Sequence, residues 1–121
     1  MQPKISQRRY SEELTKLLGK ASSYILKARA IKARKDGNHA GLSQLFIQAA
    51  ELEEEAVQRL EVEGHTEDVY ISLLSAASCY QQAKCYEKAC EAFQKTLGLP
   101  NLPKVVRAEV EQRIDECKRN M

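Results

Sequence analysis

The chain has 121 residues, 43% hydrophobic and 30% charged, with a formal net charge of only +2, which excludes a globally disordered polymer and fits one compact domain. No apolar run approaches the roughly 20 residues of a membrane span, so a membrane-embedded chain is not expected. The opening MQPKISQRRYSEE lacks an apolar h-region, so no secretory signal is read and the expected location is the cytoplasm.

In that reducing compartment Cys79, Cys85, Cys90 and Cys117 are expected as free thiols acting as small core hydrophobes. Charge is unevenly placed: residues 1–35 carry ten Lys/Arg against Glu12 and Glu13, whereas residues 51–68 carry eight acids against Arg59. Such polarity can draw the two segments together or steer a partner.

Every long segment has helical period and none alternates like a strand, so the fold class read from the sequence is all-α. Tyr10, Leu14, Leu17, Leu18, Ala21, Tyr24, Ile25, Ala28 and Ile31 form one stripe, opposite Lys16, Lys20, Lys27 and Arg34. This predicts a first helix over about 6–35, ended by Asp36-Gly37-Asn38 with Gly37 as its left-handed cap. A second helix carries Leu42, Leu45, Phe46, Ala49, Leu52, Ala56, Val57 and Leu60, stops at Gly64, and turns Glu51, Glu54, Glu55 and Glu61 outward. Thr66 is the expected N-cap of a third helix, with Glu67 and Asp68 suiting its dipole and Val69, Leu73, Ala76, Ala77 and Tyr80 facing inward. A fourth helix spans about 86–97 before Gly98. Pro103 falls in the first turn of a fifth, over about 103–119, whose narrow stripe of Val106, Val110, Ile114 and Cys117 suits a lid with one wet side. No linker divides these pieces, so residues 1–121 read as a single domain of antiparallel helical hairpins.

The stretch Ser72–Leu97 is the best-defined part. Ala77, Tyr80, Tyr86, Ala89 and Phe93 would share one seam of a helical hairpin, with Ala77 facing Ala89 to allow close approach. An earlier echo lies 47 residues before it: Ala30, Ala33, His39, Leu42, Phe46 and Ala49 superpose on Ala77, Tyr80, Tyr86, Ala89, Phe93 and Thr96. The pattern resembles the tetratricopeptide repeat, whose helix pairs place a small residue and Tyr on the first helix and Tyr, Ala and an aromatic on the second. The resemblance covers residues 24–103 in two units, paired over about 6–63 and 66–97, with the fifth helix as a cap. The spacing exceeds the family's repeat of about 34 residues, Leu42 replaces the close-packing Ala, and Lys84 occupies the turn position where the family favours Gly. The resemblance implies a right-handed superhelix of about five helices. The three-helix microtubule-interacting-and-trafficking domain is similar over the first two helices, but five helices and the Tyr80/Tyr86/Ala89/Phe93 set count against it.

Residues for catalysis are wanting. His39 lies in a turn and His65 precedes a cap, neither in a ligand motif, and the spacing of Cys79, Cys85 and Cys90 is not that of a zinc knuckle. No metal or cofactor is expected, and no enzyme activity. By the resemblance, the first helix of each pair lines a concave groove, to which Tyr24, Lys27, Ile31, Arg34 and Lys35 would contribute from the earlier unit and Ile71, Leu74, Ser78, Gln81 and Gln82 from the later. That mixture suits a protein or peptide partner with acidic character. The expected function is a non-catalytic adaptor or scaffold. The alternative is nucleic-acid association through Lys16, Lys20, Lys27 and Arg34, and the stripe from Tyr10 to Ile31 could support a homodimer.

Overall fold

The computed structural model describes residues 10–121, which hold five α-helices, a single 3-10 turn and no strand. The helices are α1 (Glu12–Lys32), α2 (Leu42–Val62), α3 (Val69–Gln82), α4 (Tyr86–Leu97) and α5 (Lys104–Arg119). Each packs against the next in sequence, so the chain is a succession of helical hairpins.

The apolar periodicity becomes the core. Ala28, Phe46, Ala49, Leu73, Ala77, Tyr80, Ala89, Phe93 and Val110 are buried together. A smaller cluster of Leu14, Ala56, Leu60 and Val69 holds the start of α1 against α2 and α3. Ala77 and Ala89 are fully buried, as a close α3–α4 approach requires, while Tyr86 is only half-buried at the hairpin's edge. The α1 stripe lies on α2 inside the chain. Cys79, Cys85, Cys90 and Cys117 are all free thiols.

Helix boundaries differ from expectation where local capping overrides periodicity. Ser6 lies outside the described residues, and within them α1 begins at Glu12 because Ser11 is an extended N-cap whose Oγ accepts the Leu14 N–H at 3.0 Å. That start is anchored to the α2–α3 corner: Ser11 Oγ donates to Glu63 at 2.5 Å, Tyr10 Oη donates to Asp68 at 2.6 Å, and Arg59 bridges Glu13 at 3.2 Å. The two segments touch at this corner through the Tyr10 and Ser11 hydroxyls and through an ion pair of reversed sense, in which the acidic segment supplies Arg59 and the basic one Glu13. At its other end α1 stops at Lys32, where the Ala33 N–H reaches the Arg29 carbonyl. Gly37, at φ +75°, serves the following loop instead of capping the helix; Asp36 organises that loop by accepting the Asn38 N–H and an Arg34 N–H, each at 3.0 Å.

Thr66 does not cap α3. It opens the 3-10 turn Thr66–Asp68, which continues into α3 at Val69. Pro103 stands one residue before α5, as its N-cap.

Helices α2 and α3 end in the same hydrogen-bond pattern. After α2, the Gly64 N–H donates to Glu61 O at 3.2 Å and the His65 N–H to Leu60 O at 2.8 Å; after α3, the Lys84 N–H donates to Gln81 O at 3.0 Å and the Cys85 N–H to Tyr80 O at 2.9 Å. This double closure needs a left-handed residue at its centre. Gly64 has φ +84° and Lys84 φ +64°, and Lys84 is the one non-glycine residue with positive φ among the described residues.

A candidate partner-binding cleft

Alternate helices enclose a cleft of about 330 Å³. Ile25, Arg29 and Lys32 supply one wall from a single face of α1, spaced at i, i+4 and i+7; Ser75, Ser78, Cys79 and Gln82 repeat that spacing along α3 as the floor. Arg113 closes the cleft from α5, and Phe46 of α2 contributes an apolar patch. Toward the α3–α4 turn the cleft opens into a wider mouth of about 670 Å³ that shares Lys32, Gln82 and Arg113 and adds His39, Lys84 and Glu116 among its lining.

The two glutamines that end α3 tie the walls to the floor. Gln82 accepts a hydrogen bond from Lys32 Nζ of α1, and Gln81 accepts one from Arg113 Nε of α5 at 2.8 Å. The Arg113 guanidinium also lies over the Phe93 ring at 5.3 Å and near Glu116 at 3.6 Å and Glu109 at 3.7 Å, so it is held in place while reaching the cleft. Positive side chains from α1, the α3–α4 turn and α5 therefore converge on one concavity, with Glu116 the acid that lines it.

Beneath the floor, Glu53 of α2 is buried at 7% exposure. Burial pushes its carboxyl above the usual range, opposed by hydrogen bonds from Ser75 and Ser72. Burial, with the Glu53 charge adding to it, pushes the Cys79 thiol up to about 11. Cys79 thus stays protonated at neutral pH and is not an activated nucleophile. Among the described residues no group of three or more His, Cys, Asp and Glu side chains is arranged to hold a metal ion, and no helix is long and apolar enough to cross a membrane.

The residues expected to line a groove fall in different places. Ser78 and Gln82 are on the cleft floor and Gln81 is in the mouth. Tyr24 instead lines a depression on the other side of α1 with Lys20, Glu51 and Glu55, and Lys27 Nζ lies 5.7 Å from its ring centroid. Ile31 is half-buried, Arg34 pairs with Asp36 at 3.0 Å, and Lys35 is exposed beyond the end of α1. Leu74 packs on the core and Ile71 is exposed. The cleft face of α1 is displaced by about one residue, or roughly 100° of helix rotation, from the face expected. Ile25, Arg29 and Lys32 therefore stand where other α1 residues were expected, and Ser75, Cys79 and Arg113 also lie outside the expected set; helical spacing does not single them out, because every face of a helix repeats at i, i+4 and i+7.

Comparison with protein-family models, with curated proteins and with solved structures finds no match for this chain.

Proposed function

We propose that the chain is a cytoplasmic, non-catalytic adaptor of tetratricopeptide-like build that holds a peptide or protein segment in the α1/α3/α5 cleft. The observation that carries this reading is the cleft itself: alternate helices of successive hairpins face one concavity, and its lining is polar and basic with a small apolar patch. Such a surface offers side-chain hydrogen bonds and charge to an extended or helical segment. The 47-residue echo, the buried Ala77/Ala89 pair and the long first hairpin agree with two unequal repeat units and a cap.

The basic stripe of α1 gives less support to nucleic-acid association. Lys16 lies 3.8 Å from Glu12, Arg34 is paired with Asp36, and Lys20 shares its depression with Glu51 and Glu55. Because the apolar stripe of α1 packs on α2, the reading is also of a monomer, and a dimer by light scattering would count against it.

The test is selection of binding peptides from a displayed random library, followed by fluorescence anisotropy with the selected peptides. Arg29→Glu combined with Lys32→Glu should abolish binding while leaving the melting curve intact. Charge reversal at Lys16, Lys20 and Lys27 should leave binding unchanged. Peptides that bind the Arg29/Lys32 variant as well as the parent would place the site elsewhere.

A further inference from the structure

None of the cleft's lining comes from the acidic segment 51–68. That segment borders a second concavity, where α2 and α4 both pack on α3. It consists of two hollows, of about 520 and 220 Å³, that share Glu61, Val69 and Leu99 and so form one groove. At roughly 100° per residue, Leu73 of the groove lies about 180° around α3 from Gln82 of the cleft, so the two concavities occupy opposite faces. Helix α2 supplies one wall with Glu54, Val57 and Glu61, which recur at i, i+3 and i+7 on one side of the helix. Glu54 and Glu61 stand two turns apart, about 10 Å along the axis. Val57 and Leu99 are only half-buried, so apolar surface lies open beside these acids. Lys95 stands on the α4 wall, which leaves negative charge concentrated along α2, and the exposed Glu67 extends it at the far end. The fold makes little use of the α2 acids. Glu61 is exposed and forms no ion pair among the described residues, and Glu54 accepts the Tyr80 hydroxyl at 2.7 Å through one oxygen, leaving the other.

We propose that the α2/α4 groove is a second docking site, for a basic amphipathic helix of a protein partner. Carboxylates that alternate with apolar side chains along one helix are the complement of such a segment. Lys or Arg at i and i+7 of the partner matches the spacing of Glu54 and Glu61, and apolar residues at i+3 and i+4 fall between them, against Val57 and Leu99. Lys95 repels the partner's cations from the α4 wall and so turns its basic side toward α2. An acidic helix meets Glu54, Glu61 and Glu67 and is rejected. The groove and the cleft share no lining residue, so this inference goes beyond the reading of the cleft and stands apart from it.

The experiment measures fluorescence anisotropy with labelled peptides of about 18 residues, long enough to form a helix. One is amphipathic and built of Leu and Lys, a second carries Glu for every Lys, and a third carries Ser for every Leu. The Leu/Lys peptide should bind the parent chain more tightly than either other. Glu61→Lys should weaken it about tenfold and Glu61→Gln about two- to fivefold, the range of one exposed ion pair. Glu55→Lys makes the same charge change on the side of α2 that shares a depression with Lys20 and Tyr24, and should leave binding within about twofold. Lysine near the C-terminal end of α2 suits the helix dipole, so Glu61→Lys should melt at the parent temperature or above it; Glu61→Gln carries the test if it melts lower. Failure of the Leu/Lys peptide to bind, or unchanged affinity in both Glu61 variants, would overturn the proposal. Equal loss in Glu55→Lys, or equal binding of the Lys/Ser peptide, would reduce the effect to general charge attraction and overturn it as well. Binding that appears only after Lys4→Gln, Arg8→Gln and Arg9→Gln would assign the groove to the chain's own first residues, and a dimer that Glu61→Lys dissociates would assign it to a second copy; either result overturns the proposal. Each of these outcomes leaves the peptide-binding reading of the cleft in place, because Arg29→Glu with Lys32→Glu tests that reading separately.

Discussion

Glu53→Gln should make this protein more stable at neutral pH, by an amount that follows from where the carboxyl sits. Glu53 is 7% exposed on the face of α2 that meets α3, and its Oε1 has no hydrogen-bond partner. Its carboxyl is raised above the ordinary 4.5, first by burial and against the opposing hydrogen bonds of Ser75 and Ser72. The sign of the pH effect follows. Between the ordinary value and the raised folded-state value, the folded chain binds more protons than the unfolded one, so stability falls as pH rises. Above the folded-state value the loss is complete and constant. Glutamine keeps the shape and leaves a polar atom at the unpartnered position, so what it removes is the charge, and an unsatisfied charged group costs more than the roughly 1–3 kcal/mol of a neutral one. The variant should therefore gain about 1–2 kcal/mol at neutral pH, or about 3–8 °C in Tm for a domain of this size, and lose the acid-side slope. Urea unfolding followed by circular dichroism, repeated from mildly acidic to neutral pH, reads both quantities. A parent whose stability does not fall over that range, together with a Gln variant no more stable than the parent, would refute the argument that this carboxylate is poorly compensated.

Two further outcomes follow from the helix ends. Gly64→Ala should destabilise by about 1–2 kcal/mol through backbone strain alone, because a Cβ at Gly64 meets no atom within 4 Å while φ is +84°; thermal melts check it, and a neutral result would mean the turn relaxes. Ser11→Ala should cost about 1 kcal/mol, within the range of 0.5–2 for a lost N-cap, and should speed hydrogen exchange of the Leu14 amide, whose 3.0 Å bond to Ser11 Oγ disappears.

The helices were legible in the sequence because each carries a periodic apolar set that burial then uses: Val69, Leu73, Ala76, Ala77 and Tyr80 on α3, and Val110, Ile114 and Cys117 on α5, are all buried. Helix ends were less legible. Ser11 caps α1 through its own Oγ and also donates to Glu63, 52 residues away, and a period of 3.6 carries no record of either contact. The cleft was hardest to read. Its α1 wall depends on how α1 rotates against α2, and one residue of rotation exchanges Tyr24 and Ile31 for Ile25 and Lys32. Arg113 belongs to the cleft through contacts with Gln81 and Phe93, which no pattern within α5 foretells.

The packing of each helix mainly on the next in sequence has a mechanical consequence. The two walls of the cleft, α1 and α5, are joined through α2, α3 and α4, so its width is the sum of small tilts at several interfaces in series, as in a leaf spring. Side-chain links at Lys32–Gln82 and Arg113–Gln81 are the direct restraints of each wall on α3, and both are polar contacts that a ligand's own groups can replace. The separation of the two walls is thus set jointly by the packing through α2, α3 and α4 and by these two polar links.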